Sequence, residues 1–194
     1  MSLKNWHIAQ ANHSMASDFI RQYHYAKSVG RVFAYVHGLY SPDWQLMGVA
    51  WWMPPPYAAA VKYSLTTHQR VLMLSRLCVH PDTPKNSASY LLGGSVRMIR
   101  HGQRFDSLIS YADTWQNHEG KIYQATNWQY AGQTAPARVY VDSAGATHSC
   151  KVSAGGTRNR AQMEALGYRL VGSYPRHVYR LVFDVKYPEQ LRLL

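Results

Sequence analysis

One stretch constrains the fold more than any other. The apolar run Val71–Val79 passes through His80-Pro81-Asp82-Thr83-Pro84-Lys85-Asn86 into a helical pattern that begins near Ser87 and lasts through His101. A Leu- and Val-rich run bounded by prolines reads as a strand. Leu91, Leu92, Val96 and Ile99 then recur at helical spacing, with Ser87 as the expected N-cap. Ser107–Tyr111 follows as a short buried strand, so the centre of the chain is a strand–helix–strand unit.

The flanking segments extend this unit into one mixed sheet. Ser14–Tyr23 reads as a helix capped by Ser14 or Ser17, with Met15, Phe19, Ile20 and Tyr23 on one face and His24-Tyr25-Ala26-Lys27-Ser28 at its exit. Val32–Leu39 and Gln45–Trp52 read as an antiparallel pair, and Pro54-Pro55-Pro56 as a loop. Gly120–Asn127 is a short helix, Val139–Asp142 and Tyr179–Val185 are late strands, and Arg158–Leu166 is a helix ending at Gly167. No repeat or linker interrupts residues 1–194, so a single α/β (α+β) domain is expected: a mixed, mostly antiparallel sheet flanked by helices.

Several residues on these elements could carry chemistry. The helix after Val79 starts at a loop rich in donors, and Lys85, Ser87 and Ser89 there could hold a phosphate, or simply cap the helix. The loop lacks the nucleotide-binding P-loop pattern. Asp113 ends a strand and could be a general base, a metal ligand or a turn residue. His118 and Glu119 follow it, and Tyr123 could protonate a leaving group or bury its ring. His24 and Tyr25 are adjacent, so they share a site only if the helix has ended before them. No His pair has zinc-protease spacing, and Cys78 and Cys150 form neither a metal pair nor a disulfide framework. A mixed His, Asp and Tyr site would suit a harder ion such as iron.

Charge narrows the partners. Lys and Arg number 21 against 10 Asp and Glu, a formal net charge of +11, and fourteen of the basic residues are Arg. Arg offers a planar fork for phosphate and base edges, and six Trp with fifteen Tyr supply rings for stacking, so nucleic acid is the expected partner. Trp51, Trp52 and Tyr57 around the proline loop, with Trp115, Trp128 and Tyr130 around Asp113, are candidates to stack a flipped base. Arg97, Arg100, Arg104, Arg158 and Arg160 cluster in sequence and are candidates for phosphate contact. No apolar run approaches the ~20 residues of a membrane span, and no secretory signal opens the chain. A reducing, cytoplasmic setting without membrane contact is therefore expected.

Taken together, the segments resemble the Gcn5-related N-acetyltransferase (GNAT) fold. More narrowly, five of them are similar to the Mom family of phage DNA-modification proteins: His24-Tyr25-x-Lys27, Leu74–Val79, Pro84–Ser89, Ile109–Asp113 and Gly120–Trp128. The resemblance implies a transferase that converts adenine in double-stranded DNA to N6-carbamoylmethyladenine, shielding phage DNA from restriction inside the host cell. It implies active-site roles for His24, Tyr25, Asp113 and Tyr123, with Arg76, Lys85, Ser87 and Ser89 toward a cofactor. It also implies iron, for which His24, Asp113 and Tyr123 are the candidate ligands. Asn86 and Ala88 stand where GNAT enzymes carry the glycines that cradle an acyl-CoA pyrophosphate. That departure counts against acyl-CoA, and the donor of the carbamoylmethyl group is not readable from these residues. The rival expectations are a conventional acyl-CoA-dependent acetyltransferase and a non-catalytic DNA-binding protein on the same fold.

Overall fold

A computed structural model describes residues 2–30, 32–148, 150, 152 and 156–183. In chain order the elements are β1 (His7–Gln10), α1 (His13–Tyr23), β2 (Tyr35–Tyr40), β3 (Leu46–Met53), α2 (Tyr57–Tyr63), β4 (Val71–Val79), α3 (Ser87–His101), β5 (Ser107–Asp113), α4 (Lys121–Gln124), β6 (Gln129–Gln133), β7 (Ala137–Val141), β8 (Thr147–His148), α5 (Arg160–Ala165), β9 (Arg169–Tyr174) and β10 (Arg176–Val182). The main sheet has seven strands in the order β1-β2-β3-β4-β5-β10-β6. Every neighbouring pair in it is antiparallel except β4–β5, which α3 connects. A second sheet, β8-β7-β9, is antiparallel throughout. The expected mixed, mostly antiparallel α/β architecture is what the chain adopts.

Strand alternation sorts the core onto two faces. On β3, Trp52 joins Leu39, Leu72, Leu91 and Leu92 in the cluster under α3, while Trp51 joins Val36, Phe19 and Ile20 under α1. A third cluster, Tyr63 with Val71, Ile109 and Val178, places α2 on the sheet. Gly94 is the reason α3 can lie against β1: a Cβ there would come within 2.2 Å of Ile8.

Several local expectations change. Asn12, not Ser14 or Ser17, caps α1, accepting from the Ser14 amide at 2.9 Å and the Met15 amide at 3.3 Å. Met15 faces solvent. Asn86 precedes α3 in the left-handed region (φ 69°), while Ser87 is already helical and donates its hydroxyl to the Pro84 carbonyl. The pairs Val139–Asp142 and Tyr179–Val185 are observed as Ala137–Val141 and Arg176–Val182, and residues 184 and 185 lie outside the described residues. Trp51, Trp52 and Trp128 are buried core rings rather than loop platforms, so they cannot stack a base.

Between the two faces the sheet buries one polar chain. Ser95 accepts from the Trp52 indole at 2.7 Å and shares a hydrogen bond with Nδ1 of His37 at 2.6 Å. Burial lowers the His37 pKa from 6.5 to about 4. The unfolded chain therefore binds a proton at His37 between those values that the folded chain refuses, and stability falls as pH drops through that window. Urea unfolding is expected to show this ring taking off about 2 kcal/mol between pH ~7 and ~5. His37→Asn, which keeps an acceptor facing Ser95, removes that share of the pH dependence.

Candidate active site

The site begins where the sheet stops pairing. β4 and β5 are in register only from Val71–Ser107 to Leu74–Ser110. On the other side of β4 the register with β3 shifts between Trp51–Arg76 and Trp52–Leu74, which leaves Ser75 as the extra residue of a bulge. Beyond this point the two strands diverge, and a cavity of about 450 Å³ occupies the wedge, lined by Ser75, Arg76, Ser110, Ala88, His118 and Tyr123 among others.

Arg76 draws the exit of α1 to the wedge. Its Nε donates to the Ser28 carbonyl at 2.9 Å, and Nη1 donates to the carbonyl of Ser75 at 2.7 Å. α1 ends at Tyr23, and His24 is already extended (φ −92°, ψ 137°), so His24 and Tyr25 escape the helical spacing that would have parted them. Their rings stack at 4.3 Å, and the Tyr25 hydroxyl donates to Oδ2 of Asp113, 88 residues away. Asp113 is the last residue of β5, not a turn residue. The His118 ring lies edge-on to Tyr25 at 5.5 Å.

Tyr123 arrives from the one-turn helix α4. Gly120 precedes it with φ +71°, and a Cβ on Gly120 would strike the Tyr179 ring at 2.1 Å, so glycine is required twice over. Ser110 Oγ lies 3.1 Å from the Leu74 carbonyl and 2.8 Å from the Tyr123 hydroxyl. A carbonyl only accepts, so when both bonds are made Ser110 donates to Leu74 and Tyr123 donates to Ser110. The imidazole, carboxylate and phenols expected to converge do so.

Most titratable groups around Arg76 stay uncharged. Burial, then the positive charge of Arg76, lowers the His24 pKa to about 3, so the ring is neutral. Burial, then the Asp113 charge and hydrogen bond, holds the Tyr25 phenol well above its usual range. Burial raises Tyr123 to about 12. At neutral pH the site therefore presents two protonated phenols, a neutral imidazole and the Arg76 guanidinium.

Those donors do not fit iron. Nδ1 of His24 accepts the Ala26 amide at 3.0 Å, so the neutral ring carries its proton on Nε2 and has no lone pair left for a metal. The nearby Arg76 cation opposes a second positive charge. Among the described residues no three His, Cys, Asp or Glu side chains converge. The expected iron site of His24, Asp113 and Tyr123 is not supported.

Other expected residues fall elsewhere. Ser87 and Ser89 spend their protons on the Pro84 and Asn86 carbonyls, and only Ala88 from that turn lines the cavity. Lys85 is exposed. No side chain caps α3, and Asn86 itself supplies the left-handed turn that a glycine would have allowed. Asn86 therefore does not block the N-terminal end of the helix. Arg97 and Arg100 lie 9 and 12 residues along α3 from Ala88, about 14 and 18 Å by helical rise, with Arg104 beyond. Arg160 is paired with Glu164 at 2.7 Å, and Arg158 is half-buried. None of these five lines the wedge.

Sequence reasoning passed over Arg138 and Arg176. With Arg76, Asp113, Tyr25 and Trp115 they line a second cleft of about 360 Å³ beside the first. Arg76 and Tyr25 line both cavities, so the Tyr25–Asp113 pair forms the partition between them. Arg138 and Arg176 gave little signal in the sequence, because both lie just before the strands read there, Val139–Asp142 and Tyr179–Val185.

Tyr25→Phe, which removes the donor from Asp113, is expected to cost about 1–3 kcal/mol in urea unfolding while the chain stays folded. Ferrous ion titrated into metal-free protein under nitrogen is expected to show neither stoichiometric binding by calorimetry nor a rise in melting temperature.

Comparison with known proteins accords with this geometry. A putative acetyltransferase from Acinetobacter baylyi shares the fold at 10% identity and TM-score 0.57, with 95% of this chain and 96% of that one covered. The ribosomal-protein-S5-alanine acetyltransferase of Vibrio fischeri matches at 8% identity and TM-score 0.57, covering 97% and 98%. A putative acetyltransferase of Salmonella typhimurium solved with acetyl-CoA matches at 10% identity and TM-score 0.56, covering 95% and 98%. No curated protein sequence matches. The Mom protein family model matches residues 5–190, nearly the whole chain, and with the GNAT-like fold it places the chain in the Mom protein family.

Proposed function

We propose that the protein attaches a carbamoylmethyl group to N6 of adenine in double-stranded DNA, and so protects phage DNA from host restriction. The observation that carries this reading is the Tyr25–Asp113 pair standing between two cavities, in a chain that belongs to a DNA-modification family. Forming the N6–carbon bond exchanges one N–H for N–C, and the displaced proton needs an acceptor. Asp113 is the acceptor whose environment suits the task, because Tyr25 donates to one of its oxygens and fixes the carboxylate. Tyr123, kept protonated by burial, can turn its hydroxyl from Ser110 and donate to the group that leaves the donor. Arg76 supplies positive charge to both cavities. The net charge of +11 supports contact with the phosphate backbone in many sequence contexts.

A second reading has its own support. A fold neighbour was solved with acetyl-CoA, and this chain has an open wedge between β4 and β5 beside an α3 without a side-chain cap, so acyl-CoA is a candidate ligand of the first cavity. An ordinary acetyltransferase would be stabilised by acetyl-CoA in thermal melts and would yield an acetylated amine.

Nucleoside mass spectrometry of plasmid from cells expressing the protein separates the two. Modified adenine is expected with the unaltered chain, none above background with Asp113→Ala, and about a hundredfold less with Tyr123→Phe. Undiminished modification in Asp113→Ala would remove the carboxylate from the mechanism.

A further inference from the structure

The two cavities differ in the chemistry of their walls. In the wedge, Lys121 is already paired with Glu119 at 2.9 Å. The second cleft sets three guanidinium groups, from Arg76, Arg138 and Arg176, against one carboxylate, Asp113. Arg176 is held in place, over the Tyr111 ring at 4.8 Å and with Nε 3.9 Å from Asp113. Arg138 stands exposed on β7 and makes no ion pair with any described residue.

The cleft also holds an unused aromatic face. Trp44 stacks on His7 at 4.7 Å and Trp128 packs on Tyr123 at 5.4 Å, but no ring among the described residues packs on the half-buried Trp115. Guanidinium groups recognise phosphate, an indole face stacks a base of any identity, and a carboxylate accepts from an exocyclic amine. The cleft combines all three within about 360 Å³, inside the ~300–1,000 Å³ range of small-ligand sites.

We propose that this second cleft takes the target nucleotide extruded from duplex DNA, with Arg138 and Arg176 on the flanking phosphates, Trp115 against the base and Asp113 at its exocyclic amine. The wedge is then left for the group donor, and the Tyr25–Asp113 pair is where the two meet. This assignment rests on the DNA-modification reading and moves the phosphate contacts from the far end of α3 to β7 of the small sheet and the start of β10.

The test uses the full chain and a duplex with one adenine in a defined site. Three measurements are made: duplex affinity by fluorescence anisotropy, permanganate reactivity of the thymine opposite that adenine, and modified nucleoside by mass spectrometry. Arg138→Glu is expected to weaken duplex binding by about tenfold or more and to flatten its salt dependence. Trp115→Ala is expected to lose the thymine reactivity while retaining most of the affinity. Arg97→Glu with Arg100→Glu is expected to change either readout less than Arg138→Glu does, and melting temperatures report that each variant is folded. Variants at 138 and 115 that bind, expose the thymine and modify adenine like the unaltered chain would overturn the proposal. So would an unaltered chain that neither binds duplex nor exposes the thymine. If the unaltered chain binds and exposes the thymine, and Arg138→Glu and Trp115→Ala lose those effects, but no modified nucleoside forms, the nucleotide site stands and the chemical reading fails.

Discussion

The parallel ladder between β4 and β5 lasts four residue pairs, and everything functional follows from its ending there. A parallel pair normally sits buried in the middle of a sheet, with its hydrogen bonds satisfied along its length. Here the Ser75 bulge turns β4 away after Leu74, and past that point β4 pairs only with β3 and β5 only with β10, which opens the wedge between them. The break cannot collapse, because Trp52, Leu72, Leu91 and Leu108 pack the closed end to full burial. A well-packed end and an open end on the same two strands make a cavity that is stable without a ligand.

The polar groups of the wedge keep one another in place. Arg76 reaches back to Ser28, and that bond delivers His24 and Tyr25 to the carboxylate at the tip of β5. Burial and the Arg76 charge together keep His24 neutral, which spares the wedge a second buried cation. The phenols stay protonated through burial and, for Tyr25, the Asp113 charge, since an anion in that setting would be costly unless fully paired. The result is a set of proton donors arranged around a single carboxylate.

Much of this was legible in the sequence where patterns were local. The strand–loop–helix around residues 71–101 announces itself by prolines and helical spacing, and β5 and α1 by their apolar residues. The convergence of His24, Tyr25, Asp113 and Tyr123 was legible only through resemblance, because 88 residues separate Tyr25 from its partner and no spacing rule spans that distance. β1, α2, β6, β8 and β9 were missed: β1 and β8 are four and two residues long, α2 follows three prolines that mask its start, and β6 and β9 are short strands broken by Gly132 and Gly172. The tryptophans next to the prolines were misread for the opposite reason. Trp51 and Trp52 lie one on each face of β3, and a run buried on both faces shows no alternation. Metal ligation was misjudged because composition lists donors but not where their lone pairs already go. The Ala26 amide occupies the one His24 would have offered.

The join between the two sheets has a mechanical meaning. β9 ends at Tyr174 and β10 begins at Arg176, so Pro175 alone separates the sheet bearing Arg138 from the strand registered against Asp113. A proline with its fixed φ is a stiff coupling, and the Thr114 hydroxyl clamps its carbonyl at 2.7 Å. The small sheet is thus joined through one conformationally restricted residue to the strand paired with the end of β5, so the positions of Arg138 and Asp113 are tied to each other along a short stretch of backbone.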